Sequence, residues 1–308
     1  MTRATERVLF TTFTRNLALD ISQQLNGLCP REHRGRIEVV HLDQWVRELL
    51  THLGVRGTVV YGDHEGREAL WKRALSMAPV VERITPEFLR DEFEQVVLAQ
   101  GVVDQAGYLA ATRTGRGVAL TRRERAQIWP VFEDYRAGLA REGWFEVADA
   151  MREARMRLAA RPDWLPYRSV VVDEAQDLGE QALMLLRQVV PVGETGNDLF
   201  IVGDAHQRIY GHPVVLSKCG VQVRGRSRTL RINYRTTEEI RRWAVSLLVG
   251  QPVDDLDGGA DDGRGYRSLM HGEAPVERRF ASFDEDFEAI VAWLKELAGV
   301  ATEGEAPE

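Results

Sequence analysis

At 308 residues, 44% hydrophobic and 28% charged, the chain is long enough to bury one large core or two smaller ones and too apolar to be disordered throughout. Its formal net charge of −7 argues against a protein that coats nucleic acid with its whole surface. A local arginine groove stays open, because Lys72, Lys218 and Lys295 are the only lysines and the other cations are arginine.

Cys29 and Cys219 stand far apart with no C-x-x-C spacing, so neither a disulfide framework nor a zinc site is indicated. No apolar stretch reaches the roughly 18 to 20 residues of a spanning helix. The expectation is a cytoplasmic protein with no membrane partner.

In chain order, residues 7–14 ("RVLFTTFT") predict a strand and 16–28 a helix. Residues 37–42 predict a second strand, with Trp45, Leu49 and Leu50 as the inward face of a second helix. From about 65 to 158 the strand signal disappears; Thr85-Pro86-Glu87 marks one helix start and Thr121 with Glu124 a capping box at another. The strand pattern resumes at 169–172, 199–202 and 229–232. Residues 251–265 ("QPVDDLDGGADDGRG") read as a solvated connection, followed by a strand at 276–281 and a helix at 286–298. The predicted fold class is α/β: a parallel sheet with an inserted all-helical subdomain. The expected divisions are 1–50 and 166–250 for the first domain, 51–165 for the insertion, 251–275 for the connection and 276–308 for the start of a second domain.

Three short stretches carry the chemistry. In "VVVDEAQD" (170–177) an apolar run ends in Asp173 and Glu174, at the strand end where open parallel sheets gather ligands. Two carboxylates there repel unless a cation neutralises them, and a hard oxygen-bound ion such as Mg²⁺ suits them. Asp177 reads either as a third acid of the site or as the N-cap of a helix beginning near Gly179. In "IVGDAHQRIY" (201–210) a glycine, Asp204 and Gln207 follow a second strand, and Gln207 can donate and accept at once. In "LRINYRTTEEI" (230–240) a capping box from Thr236 to Glu239 places Asn233, Tyr234 and Arg235 in the loop before a helix, with Ile240, Trp243, Ala244, Leu247 and Leu248 as a core-facing stripe.

In this order, these stretches resemble the second, third and fourth motifs of UvrD/Rep/PcrA-type superfamily 1 DNA helicases, and "TTFTRNLA" (11–18) resembles their motif Ia. The resemblance implies RecA-like domains that hydrolyse ATP with Mg²⁺ while moving on single-stranded DNA or at a single/double-strand junction. It implies that Asp173 holds Mg²⁺, Glu174 polarises the attacking water, Gln207 reads the γ-phosphate, Tyr234 stacks on adenine and Arg235 stabilises the transferring phosphoryl group. Gln176 and Asp204 join the nucleotide side of the site, and Phe13, Thr14, Asn16, Tyr210 and His212 the DNA side.

Several features depart from that pattern. The sequence contains no G-x-x-x-x-G-K-[ST] loop, so the expectation is a chain inactive by itself, with phosphate-loop and C-terminal helicase segments supplied in cis or in trans. A sheet without the strand that precedes that loop is expected to show open edges and apolar surface. The alternatives are a non-catalytic nucleic-acid-binding or regulatory protein, and a subunit of a split motor. The second DNA-facing loop, around His41 and Asp43, also departs from the family, and arginines at 113–125 and 224–231 are further candidates for phosphate contact.

Overall fold

The structure is a computed structural model that describes residues 7–301 apart from 63, 80–82, 114, 162–163, 191–197, 209–213, 252 and 262. β1 (Arg7–Thr12) feeds α1 (Arg15–Leu28), whose first turn is fixed by the Thr14 hydroxyl accepting the Leu17 amide at 3.2 Å. A short α2 (Arg31–Arg34) leads to β2 (Ile37–His41) and α3 (Leu42–His52), which buries Trp45, Val46, Leu49 and Leu50 as its apolar spacing requires. β3 (Thr58–Val60), α4 (Glu65–Leu75) and α5 (Pro86–Glu92) follow, α5 capped by Thr85 and running into a π-helical turn at Phe93–Leu98. Then come α6 (Gln105–Ala110), α7 (Arg122–Glu142) with its Thr121–Glu124 capping box, β4 (Trp144–Glu146) and α8 (Val147–Ala159). β5 (Tyr167–Val172), α9 (Glu180–Val189) and β6 (Leu199–Ile201) complete the sheet.

That sheet has the order β2-β1-β5-β6 and every pairing in it is parallel. All four carboxyl ends therefore lie along one edge, which is where Asp173, Glu174, Asp204 and Gln207 fall. The fold is α/β, with the expected parallel sheet. One core holds the sheet with α3, α8 and α9; a second holds α4 to α7 around Trp71, which stacks on Tyr135 with ring centroids 4.0 Å apart. The insertion therefore has its own core from Val60 to Leu139, while α8, expected with it, packs into the α/β core. The insertion also contains β3 and β4, which pair in parallel. Three-residue strands are too short to show a period of two, which is why the sequence pattern missed them.

Residues 228–251 and 263–308 form a second compact unit; 252–262 belong to the first. The second unit contains β7 (Ile232–Thr237), α10 (Glu238–Ser246), β8 (Arg267–Met270) and α11 (Phe283–Ala301), with β7 and β8 parallel. Four local expectations need correcting. The 233–235 stretch lies within β7 rather than in a loop, and Thr237, not Thr236, caps α10. The cause is the Asn233 side chain, which accepts the Arg235 and Thr236 amides at 2.8 and 3.2 Å and carries the strand through an irregularity to Thr237. The strand expected at 276–281 falls at 267–270 instead. The α10 stripe is not core: Ile240, Trp243 and Leu247 are 43%, 42% and 68% exposed.

In the helical core, Glu92 is fully buried and accepts hydrogen bonds from Tyr108 at 2.9 Å and from Arg113 and Arg116. Two of the arginines considered for phosphate contact are thus committed to an internal carboxylate. Burial works against the Glu92 charge, but Arg113, Tyr108 and Arg116 together hold its carboxyl below the ordinary value. Because the folded value is depressed, this contribution to stability is complete above the usual carboxylate range and is lost as pH falls through the lowered value. Glu92→Ala is expected to cost about 3 to 5 kcal/mol, measured by urea unfolding at neutral pH, because it strands two buried arginines.

β6 is the outer strand of the sheet among the described residues, and Phe200 and Val202 are 65% and 41% exposed. Unpaired edges with apolar side chains invite association. Phe200→Lys is expected to raise the monomer fraction, read by light scattering across a concentration series.

Candidate functional site

β5 places its acids by alternation: Val170 and Val172 are fully buried, and the next residue emerges at the sheet's carboxyl edge. The Asp173 amide continues the ladder by donating to the Thr11 carbonyl at 3.0 Å, and the Ala175 amide crosses to the Val202 carbonyl at 3.0 Å. Between these two anchors Glu174 is forced into the left-handed region, with φ 53°. For a residue with a Cβ this costs on the order of 1–3 kcal/mol, and such strain is kept only where neighbours over-determine it.

The neighbours here are specific. Asp173 Oδ1 accepts the Glu174 amide at 3.0 Å. The chain then tightens into a 3-10 turn at Ala175–Asp177. Gln176, only 4% exposed, donates from Nε2 to Glu174 Oε2 at 2.6 Å and accepts the Asp204 amide on Oε1 at 3.0 Å. Gln207, in the 3-10 turn Ala205–Gln207, donates to Asp204 Oδ2 at 2.9 Å. The second and third motifs are therefore joined through one buried amide. Gly203 allows this close approach: a Cβ would stand a tight 3.1 Å from Gln176 Oε1 and 3.2 Å from the Gln176 backbone nitrogen.

Asp177 lies in the 3-10 turn and Gly179 is the N-cap of α9, so the capping alternative for Asp177 is removed. Its Oδ1 is buried without a hydrogen-bond partner. Burial raises the Asp173 carboxyl above its ordinary value and the Glu174 charge adds to this, opposed by the Glu174 amide. Burial raises Asp177 as well, again with a push from Glu174 and a smaller opposing pull from Arg208. A group of carboxyls that resists ionisation in this way is relieved by a cation. Among the described residues no group of three or more His, Cys, Asp or Glu is arranged to hold a metal by itself. Mg²⁺ is commonly held by one or two carboxylates with water and substrate phosphates completing its shell.

On the same edge, one strand over, Phe13 packs half-buried against the core, while Thr14 and Asn16 are exposed. Thr14 is occupied as the cap of α1. Tyr210 and His212 lie outside the described residues. In the second unit, Tyr234 is 69% exposed and Arg235 is exposed, while the Asn233 amide is turned inward to Thr236 at 2.6 Å. His41 ends β2 on the sheet's carboxyl edge with Nδ1 buried and unpaired. Sequence reasoning missed Arg208, which lies 10% exposed against Asp254; the signal was a cation directly after Gln207 and an aspartate-rich turn to receive it.

The family model for the UvrD/REP helicase N-terminal domain matches residues 2–213. The chain belongs to this family. No curated protein matches it. Membership in the UvrD/REP helicases brings ATP and Mg²⁺ as the family's usual fuel and DNA as its usual track. The match contains Asp173, Glu174, Gln176, Asp204 and Gln207, and ends before Tyr234 and Arg235. No helix of the structure is long and apolar enough to cross a membrane.

A cation held by Asp173 would compete with protons for its carboxylate, so divalent-ion affinity is expected to fall as pH is lowered, sooner than for a carboxylate of ordinary acidity. Mn²⁺ titration followed by electron paramagnetic resonance checks this, and Asp173→Asn is expected to flatten the dependence.

Proposed function

We propose that this chain supplies the carboxylate face of an ATP-driven motor that moves on single-stranded DNA. The observation that carries the reading is Glu174 held in a strained left-handed conformation beside Asp173, with its side chain fixed by Gln176 at 2.6 Å. Strain at a strand end, next to desolvated acids, is what a site gains from pre-organisation.

In this reading Asp173 holds Mg²⁺, which when bound neutralises charge on the phosphate oxygens. Glu174 orients a water and takes its proton as the new oxygen–phosphorus bond forms and ADP leaves. Gln207 faces the γ-phosphate, and its tie to Asp204 sets its direction. Tyr234 stacks on the adenine ring and Arg235 meets the phosphoryl group in transfer. Phe13, Thr14 and Asn16 face the DNA. The sequence has no G-x-x-x-x-G-K-[ST] loop, so hydrolysis requires a phosphate-cradling segment in addition to these residues.

A second reading is a helicase-like protein that binds nucleic acid without hydrolysing ATP. The two separate in one experiment, with the chain joined to a segment bearing the phosphate loop. A motor shows DNA-stimulated ATP hydrolysis that falls at least ~100-fold in Glu174→Gln. A binding protein holds single-stranded DNA with a steep salt dependence, indifferent to nucleotide and to that substitution.

A further inference from the structure

Residues 253–261 are acidic and glycine-rich, the composition of a solvated connection, yet they are folded and anchored. Asp254 and Ala260 form an antiparallel bridge, and the Asp261 amide donates to the Val253 carbonyl at 2.9 Å. Asp255 Oδ1 accepts the amides of Asp257 and Gly259 at 2.9 and 2.8 Å, so this acid is spent on closing the turn. The turn is tied down at its tip: the Leu216 amide donates to the Leu256 carbonyl at 3.1 Å and the Ser217 amide to Asp257 Oδ1 at 3.1 Å. Leu256 packs against the α/β core and adopts φ 66°, the other described residue besides Glu174 to carry a Cβ into the left-handed region.

Leu256 and Gln176 meet at one point beside Gly203. A Cβ at Gly203 would stand 3.1 Å from Gln176 Oε1 on one side and 3.2 Å from Leu256 Cδ1 on the other. Arg208 closes the arrangement. Its Nη atoms engage both carboxylate oxygens of Asp254, the second at 3.1 Å, and its Nε donates to the Gln176 carbonyl at 3.3 Å. The Arg208 hydrogen bonds hold the Asp254 carboxyl below its ordinary value. Arginine suits this place because its rigid planar fork meets a carboxylate through two nitrogens while a third donates to another partner.

We propose that Arg208 is a positioning residue for Glu174. Anchored by Asp254, it fixes the Gln176 peptide, so that the Gln176 side chain bridges Glu174 and the Asp204 amide. The 253–261 segment is thereby a clamp on the candidate site and not a linker. The proposal rests on the reading of Glu174 as the carboxylate that orients water, and its test separates the two.

The full chain is made as Asp254→Asn and, separately, as Arg208→Lys, and amide hydrogen exchange is followed at single residues. The Asp204 amide, which depends on Gln176, is expected to exchange about 10-fold faster in both variants, while the Val170 amide, which donates to Asp198 within the sheet, keeps its rate. Equal acceleration at Val170 and Asp204, or no change at Asp204, overturns the clamp. In the chain completed with a phosphate loop, both variants are expected to lower kcat about 10-fold with KM for ATP unchanged, since orientation of Glu174 is lost and nucleotide contacts are kept. A raised KM with kcat intact overturns the positioning role. A completed wild-type protein that hydrolyses no ATP removes the role assigned to Glu174, and with it the positioning role, whereas the exchange rates still decide whether the clamp exists.

Discussion

The parallel pairing of β5 with β1 on one side and β6 on the other is the constraint on which the site depends. Both neighbours reach past the strand's end: Thr11 receives the Asp173 amide and Val202 receives that of Ala175. One residue is left between two fixed hydrogen bonds, and it is Glu174. Its backbone strain, the direction of its side chain and the need for a buried amide behind it all follow from that pinning. Since parallel pairing brings four carboxyl ends to one edge, it also sets the residues read as DNA-facing beside the acids.

The protein handles buried carboxylates in two ways, and the contrast marks the site. Glu92 in the helical core is surrounded by Arg113, Arg116 and Tyr108, and these hold it ionised against the cost of burial. Arg67 and Glu146 form a comparable pair between α4 and β4 at 2.9 Å. Asp173 has a carboxylate for a neighbour instead, and burial raises it. Arginines near the site serve the scaffold by the same logic, as Arg208 does with Asp254.

The second unit presents a different kind of incompleteness. β7 and β8 are a parallel pair, and parallel sheets are ordinarily covered on both faces, yet Leu269 and Met270 are 53% and 43% exposed. α11 adds Phe283, Phe287, Ile290, Leu294 and Leu297 at alternating spacings of four and three, all of them exposed. Such a stripe is the face of a helix built to be covered.

Sequence alone determined the strands that end in acids, the caps at Thr85 and Thr121, the inward face of α3 and the family's motifs, because each is encoded in neighbouring residues: alternation, helical spacing, or a short polar side chain three positions from an amide. It did not determine the extent of β7, since one asparagine side chain competing for two amides decides where the strand yields to the helix. Nor did it determine that Glu92 would hold Arg113 and Arg116, or that an aspartate-rich turn would fold onto Arg208, because those partners lie 21, 24 and 46 residues apart along the chain. Local chemistry writes the elements and the motifs into the sequence. Which charge meets which is settled only when the sheet and helices bring distant residues into one low-dielectric place.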